Sequence, residues 1–201
     1  MANAREILSR MKSVQDTRKI TNAMYLISST KLKKSKKLLE ETEPYFYSLQ
    51  DLIRRILRHM PDVEHFYFNP RKEIKEEDRV KGLIVITGDK GLAGAYNHNV
   101  LKMAQEWMEQ SKNHRLYVVG ELGRHYFEAR HIQVEEQFHY TVQNPTMHRA
   151  RLISSTILED YEEGRLDEVW IIYTQMINSM QMEAEMTELL PLKREDFSNI
   201  V

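Results

Sequence analysis

No glycine occurs before Gly82 and no proline before Pro44. Glycine and proline are the residues most costly inside a helix, so a long opening segment carries no strong breaker. Within it Ile7, Met11, Val14, Thr17 or Thr21, Met24, Ile27 or Ser28, and Leu38 recur at spacings of three, four and seven. That is a coiled-coil stripe with several small polar positions. Pro44 is a place for a kink. Beyond it Tyr45, Leu49, Leu52, Ile53, Ile56 and Leu57 carry the stripe to about His59. A helix of about 55 residues spans roughly 80 Å, whereas a compact chain of this size has a radius of gyration near 16 Å. Such a helix projects from its own domain, and its stripe needs another helix or another protein to cover it.

All seven glycines lie between Gly82 and Gly164, and that region reads differently. VKGLIVIT (80–87), RLYVVG (115–120), IQVEEQFHY (132–140) and EVWIIYT (168–174) are predicted strands, and MEAEMTELLPL (182–192) an antiparallel edge. Residues 98–111, 121–130 and 147–163 between them read as helices. Alternating strands and helices predict an α/β domain of Rossmann-like type with a mainly parallel sheet. The expected organisation is a shaft helix over 1–60, a linker over 61–74 marked by Pro61 and Pro70, and an α/β domain over 75–192.

Charge divides the same way. Residues 1–60 carry thirteen Lys/Arg against six Asp/Glu, and residues 61–201 carry sixteen against twenty-four. The basic first segment suits an acidic partner, a solvated charged helix being the alternative. The chain has no cysteine, which excludes disulfides and thiol chemistry. No apolar run reaches the length of a membrane span, and the N-terminus has no signal-peptide core.

The stretch LIVITGDKGLAGAYN (83–97) raises the question of a nucleotide, because a strand, a glycine turn and a helix often hold phosphate. A phosphate loop needs G-x-x-x-x-G-K-[ST], and here Lys90 is followed by Gly91 and Leu92. The dinucleotide fingerprint needs G-x-G-x-x-G, and here the spacing is G-x-x-G-x-x-G. Asp89 at the mouth repels phosphate unless Lys90 neutralises it. A tight structural turn is therefore the favoured reading. The eight histidines are scattered without H-E-x-x-H, and no serine stands in G-x-S-x-G. No catalytic, cofactor-binding or metal-binding residue is predicted.

REILSRMKSVQDTRKITNAMYLISSTKLKKSKKLLEETEPYFYSL (5–49), VITGDKGLAGAYNHNVL (85–101), VVGELGRHYFEARHIQV (118–134) and TELLPL (187–192) resemble, in order, the gamma-subunit family of F-type ATP synthases. The KITNAM segment (19–24) and the GDKGLAGAYN turn (88–97) are its specific marks, and the version is similar to bacterial members. The resemblance implies a central rotor stalk without an active site or cofactor of its own. It implies partners: three alpha and three beta subunits, an epsilon subunit and a membrane c-ring. It implies coupling of proton flow through that ring to ATP synthesis or hydrolysis on the alpha–beta hexamer. It also implies a place at the cytoplasmic face of the bacterial plasma membrane, reached through the complex alone and without nucleic acid. In the family a long C-terminal helix follows TELLPL, whereas this sequence ends at Val201. A shortened chain is therefore expected, with 193–201 opening the absent segment. The stripe of such a chain lacks its partner and is prone to fray or associate.

Residue roles follow from that resemblance. Arg10, Lys12, Arg18 and Lys19 fall on the first turns of the shaft. Lys31, Lys33, Lys34, Lys36 and Lys37 form a basic band, a counterpart to an acidic loop that beta subunits of the family present. Met24 reads as coiled-coil seam, and Gly88, Asp89, Lys90 and Gly91 as a surface facing neighbouring subunits. Two alternatives stand beside this reading. A basic helix with a heptad stripe imitates a basic-zipper nucleic-acid-binding protein, and the 75–192 region imitates a stand-alone nucleotide-binding protein.

Overall fold

The computed structural model describes residues 4–60, 64–178 and 180–197. The chain forms two compact units, 1–61 and 62–201.

The first unit is one helix, α1 (Ala4–His59), of 56 residues. It continues through Pro44, and the Ser48 hydroxyl donates to the Pro44 carbonyl at 2.7 Å. Arg58 and His59 stand in its last turn, where the helix dipole favours cations. None of its residues is buried. Two polar positions of the stripe are satisfied locally: Thr17 donates to the Ser13 carbonyl and Thr21 to the Thr17 carbonyl, each at 2.9 Å. Their hydroxyls are spent on the helix itself, so these two threonines present no unpaired donor along the stripe.

The second unit is an α/β domain. Its elements are β1 (Lys81–Ile86), α2 (Tyr96–Gln110), β2 (His114–Val119), α3 (Glu121–Glu128), α4 (Met147–Glu162), β3 (Glu168–Met176) and β4 (Met182–Leu190). The sheet order is β2-β1-β3-β4. β1 pairs in parallel with β2 and β3, while β4 runs antiparallel on β3. Central β1 is apolar on both faces because both faces are covered. Leu83 and Val85 pack with Val100, Ala104 and Trp107 of α2 and with Phe127 of α3. Ile84 on the other face packs with Ile157 and Tyr161 of α4 and with Leu190.

One predicted strand is not a strand. Residues 132–140 make a single parallel bridge, Val119 to Tyr140, and Glu135 N–H donates to the Leu116 carbonyl at 2.9 Å. The physical reason lies in two side chains. Val134 is buried in the α2/α3 cluster and Phe138 in the α4 cluster. The segment wraps around the β2 edge and delivers one apolar group to each face, which a strand in the ladder cannot do with residues of even spacing.

Buried ion pairs fasten the start of this unit to the N-terminal end of the sheet. Arg71 donates to Asp167 at 2.9 Å and to the carbonyls of Leu166 and Tyr161, each at 2.6 Å. Arg79 donates to Glu168 at 2.8 Å, and Lys81 lies 3.5 Å from the other oxygen of that carboxylate. Burial works to raise the Glu168 pKa, but the hydrogen bonds of Arg79 and Trp170 and the nearby charges of Lys81 and Arg79 hold it below the ordinary carboxylate range. Asp160 is held low in the same way against burial, by the Tyr117 hydroxyl, Arg165 and Arg115.

Candidate functional site

The glycine turn is built from the end of β1 outwards. Thr87, Gly88 and Asp89 each offer one acceptor to the start of α3. The Thr87 hydroxyl accepts Gly123 N–H at 3.0 Å, the Gly88 carbonyl accepts Leu122 N–H at 3.2 Å, and Asp89 Oδ1 accepts Glu121 N–H at 3.2 Å. These are the first three N–H groups of α3, and the preceding Gly120 supplies no side-chain cap. A helix normally leaves such groups without an internal partner. Here the turn after a neighbouring parallel strand satisfies them.

The approach is close enough to dictate residue types. Gly120 has φ +105°, and a Cβ there would stand 2.3 Å from the Thr87 carbonyl oxygen. At Gly123 a Cβ would stand 2.6 Å from Thr87 Oγ1. Asn97, buried at the start of α2, accepts Gly88 N–H at 2.7 Å and ties the turn to its own helix. Asp89 Oδ1 also accepts Val142 N–H at 3.2 Å. Its Oδ2 is shielded from solvent with no hydrogen-bond partner among the described residues. An anion placed beside that oxygen would face a desolvated like charge.

Beyond Asp89 the turn opens. Lys90 to Ala95 are exposed. Leu92, at φ 60°, is 94% exposed, and Gly94 has φ +57°. The structure thus divides the sequence-predicted set: Gly88 and Asp89 are spent inward, while Lys90 and Gly91 belong to the exposed tip. Thr87, Asn97, Gly120, Gly123 and Val142 were not predicted. The G-x-x-G spacing of Gly120 and Gly123 directly after β2 is the signal that points to a close approach.

The other predicted residues lie on α1. Arg10 pairs with Glu6 at 2.9 Å, Lys19 with Asp16 at 3.3 Å and Lys37 with Glu41 at 3.8 Å. Lys12, Arg18, Lys31, Lys33 and Lys34 are exposed, Lys36 is half-buried, and Met24 is exposed. At about 100° per residue, Lys33, Lys34, Lys36 and Lys37 share one arc of roughly 160°. Leu32, Leu38 and Leu39 occupy the opposite side, with Lys31 among them. Four of the five lysines therefore form a basic face rather than a girdle.

The family model described as ATP synthase matches residues 3–199. Over 201 residues the chain is 35% identical to the ATP synthase gamma chain of Caldicellulosiruptor saccharolyticus, covering 98% of this chain and 68% of that one. The chain belongs to the ATP synthase gamma-chain family. Another gamma chain, from Acetivibrio thermocellus, is 45% identical over 193 residues, 96% of this chain and 65% of that one. The chain thus spans less than two thirds of that relative's length. The gamma chain of Acetobacterium woodii, described as sodium ion specific, is 36% identical over 194 residues, 96% of this chain and 63% of that one. The fold is shared with a chain in the central stalk and c-ring structure of the Tetrahymena thermophila mitochondrial ATP synthase. The TM-score is 0.64 at 22% identity, over 86% of this chain and 72% of that one. Within the gamma-chain family, then, the glycine turn and the basic face of α1 are the features to which a role must be assigned.

Proposed function

We propose that this chain acts as the central rotor stalk of an F-type ATP synthase, with its α/β unit as the foot and α1 as half of the shaft. The observation that carries the proposal is the family match over residues 3–199, and the 56-residue helix with an open apolar stripe suits it. Its partners are three alpha and three beta subunits around the shaft, with an epsilon subunit and a c-ring at the foot. The complex stands at the cytoplasmic face of the plasma membrane. No described helix is long and apolar enough to cross a membrane, so attachment runs through those partners.

The mechanism is differential contact. A single shaft inside a threefold ring meets each beta subunit with a different face. Each contact biases its subunit's conformation by the difference in contact energy between states. Turning the shaft passes the biases around the ring, so ATP synthesis or hydrolysis proceeds on the hexamer while this chain performs no chemistry. Proton flow through the c-ring supplies the torque. The glycine turn is structural: its Gly88 N–H and Asp89 carboxylate are engaged within the foot. The exposed tip with Lys90 and Gly91, the basic face of α1, and Arg10, Lys12, Arg18 and Lys19 meet the surrounding subunits. Met24 lies in the seam against the second shaft helix that follows in the family.

The test is reconstitution. This chain is mixed with alpha and beta subunits from a gamma-chain relative's complex, the assembly is isolated, and ATP hydrolysis is compared with and without it. Incorporation with altered hydrolysis is the expected result. If the chain fails to incorporate even when extended by the relative's C-terminal helix, the rotor-stalk role is wrong.

A further inference from the structure

Four of the chain's eleven methionines fall between residues 176 and 186. They sit on one hairpin. Met176 and Met182 are direct cross-strand partners where β3 and β4 meet the turn, and Met186 lies opposite Ile172 further along β4. All are exposed, and Met180 at the turn is 94% exposed. Hydrogen bonds tie together the described residues Ile177, Asn178, Met180 and Gln181. Asn178 Oδ1 accepts the N–H groups of Met180 at 2.9 Å and Gln181 at 3.0 Å, and Ile177 N–H donates to the Gln181 carbonyl at 3.0 Å. Met180 is thus held outwards by a closed turn. Met11, Met24, Met60 and Met147 are also exposed, but to 58% at most, and Met103 and Met108 of α2 pack partly buried against the core.

We infer that this hairpin is a reversible oxidation site, with Met180 reacting first. The co-reactant is a hydroperoxide. A lone pair of the thioether sulfur attacks one peroxide oxygen and forms an S–O bond as the O–O bond breaks. The proton on the attacked oxygen passes to the departing oxygen, which leaves as water from hydrogen peroxide or as an alcohol from an alkyl hydroperoxide. Sulfur is oxidised by two electrons and the peroxide is reduced by two. An oxidant reaches an exposed sulfur sooner than a packed one, which sets Met180 first, the other exposed methionines, at 58% or less, next, and Met103 and Met108 last. The product is polar, so oxidation turns an apolar hairpin face into a hydrogen-bond-accepting one. Methionine sulfoxide reductases, one for each sulfoxide epimer, restore the thioether.

The test treats the folded chain with hydrogen peroxide and follows each methionine by peptide mass mapping. The expected initial rate at Met180 is about twice that at Met182 and at least about ten times that at Met103 and Met108. Met180→Leu is expected to remove the fastest phase while the thermal midpoint stays unchanged. The two reductases together are expected to return the mass of the Met180 peptide. Oxidation of Met180 no faster than of Met103 would overturn the assignment, as would a fastest phase that survives Met180→Leu. A Met180 peptide that keeps its added oxygen after both reductases would overturn reversibility.

Discussion

The carboxylate of Asp89 accepts the backbone N–H of Glu121, the first residue of α3, at 3.2 Å. The two residues come from the ends of adjacent parallel strands, so a turn after one strand caps the helix that follows the next. Asp89→Ala removes an acceptor from both Glu121 and Val142. It is expected to destabilise the α/β unit by about 1–2 kcal/mol, the range for loss of an N-terminal cap. Asp89→Asn keeps an oxygen acceptor and is expected to lose less. Denaturant unfolding of the two variants side by side checks this, and equal losses would show that the cap is not what Asp89 provides.

Two glycines of this region have opposite tolerance. Gly120→Ala places a Cβ against the Thr87 carbonyl at a positive φ and is expected to cost about 2 kcal/mol or more. Gly91→Ala meets open space and is expected to be neutral, or stabilising by about 0.4–1 kcal/mol through a less flexible unfolded chain. Thermal melts of both variants decide it. A Gly91→Ala loss as large as that of Gly120→Ala would contradict the geometry.

The depressed pKa values of Glu168 and Asp160 make acid a stress on the second unit. The unfolded chain takes up protons near the ordinary carboxylate value, around pH 4. The folded chain holds these two carboxylates ionised to lower pH. Their contribution is therefore present above the unfolded value and is lost as pH falls through the lower folded ones. Glu168→Gln is expected to be less stable at neutral pH, because Arg79 and Lys81 lose their shared buried carboxylate and keep only the exposed Glu76. It is also expected to lose less further stability between about pH 6 and about pH 3. Urea unfolding across that range supplies both slopes, and parallel slopes would remove Glu168 from the account.

The basic face of α1 bears on the rotor-stalk proposal. Changing Lys33, Lys34, Lys36 and Lys37 together to Gln is expected to weaken incorporation into an alpha–beta assembly at low ionic strength. The difference should shrink as salt rises, since exposed charges are screened over about 8–10 Å under ordinary conditions. Incorporation and ATPase rates measured across a salt series test it; identical behaviour of the variant at every salt would leave the lysines as a solvated face.

The sheet was legible where burial is symmetric. LIVI (83–86) is apolar throughout because helices cover both faces of β1, and no other environment suits four such residues in a strand. The long helix was legible because nothing in its opening residues interrupts it. Residues 132–140 misled because their apolar groups suit a strand locally, while Val134 and Phe138 serve opposite faces of the sheet. The cap made by Thr87, Gly88 and Asp89 was illegible for a different reason. It joins residues more than thirty positions apart, and only the parallel pairing of β1 with β2 brings them together. In the sequence Asp89 reads only as an obstacle to phosphate, and nothing local marks Glu121 as its partner.

The wrap of residues 134–138 around β2 gives the sheet a polarity. With that flank occupied, β4 is the edge whose outer row of peptide groups faces no further strand among the described residues. In polymer terms the sheet has one blocked end and one living end. An added strand would extend the ladder in a fixed direction, away from β2 and alongside the methionine hairpin.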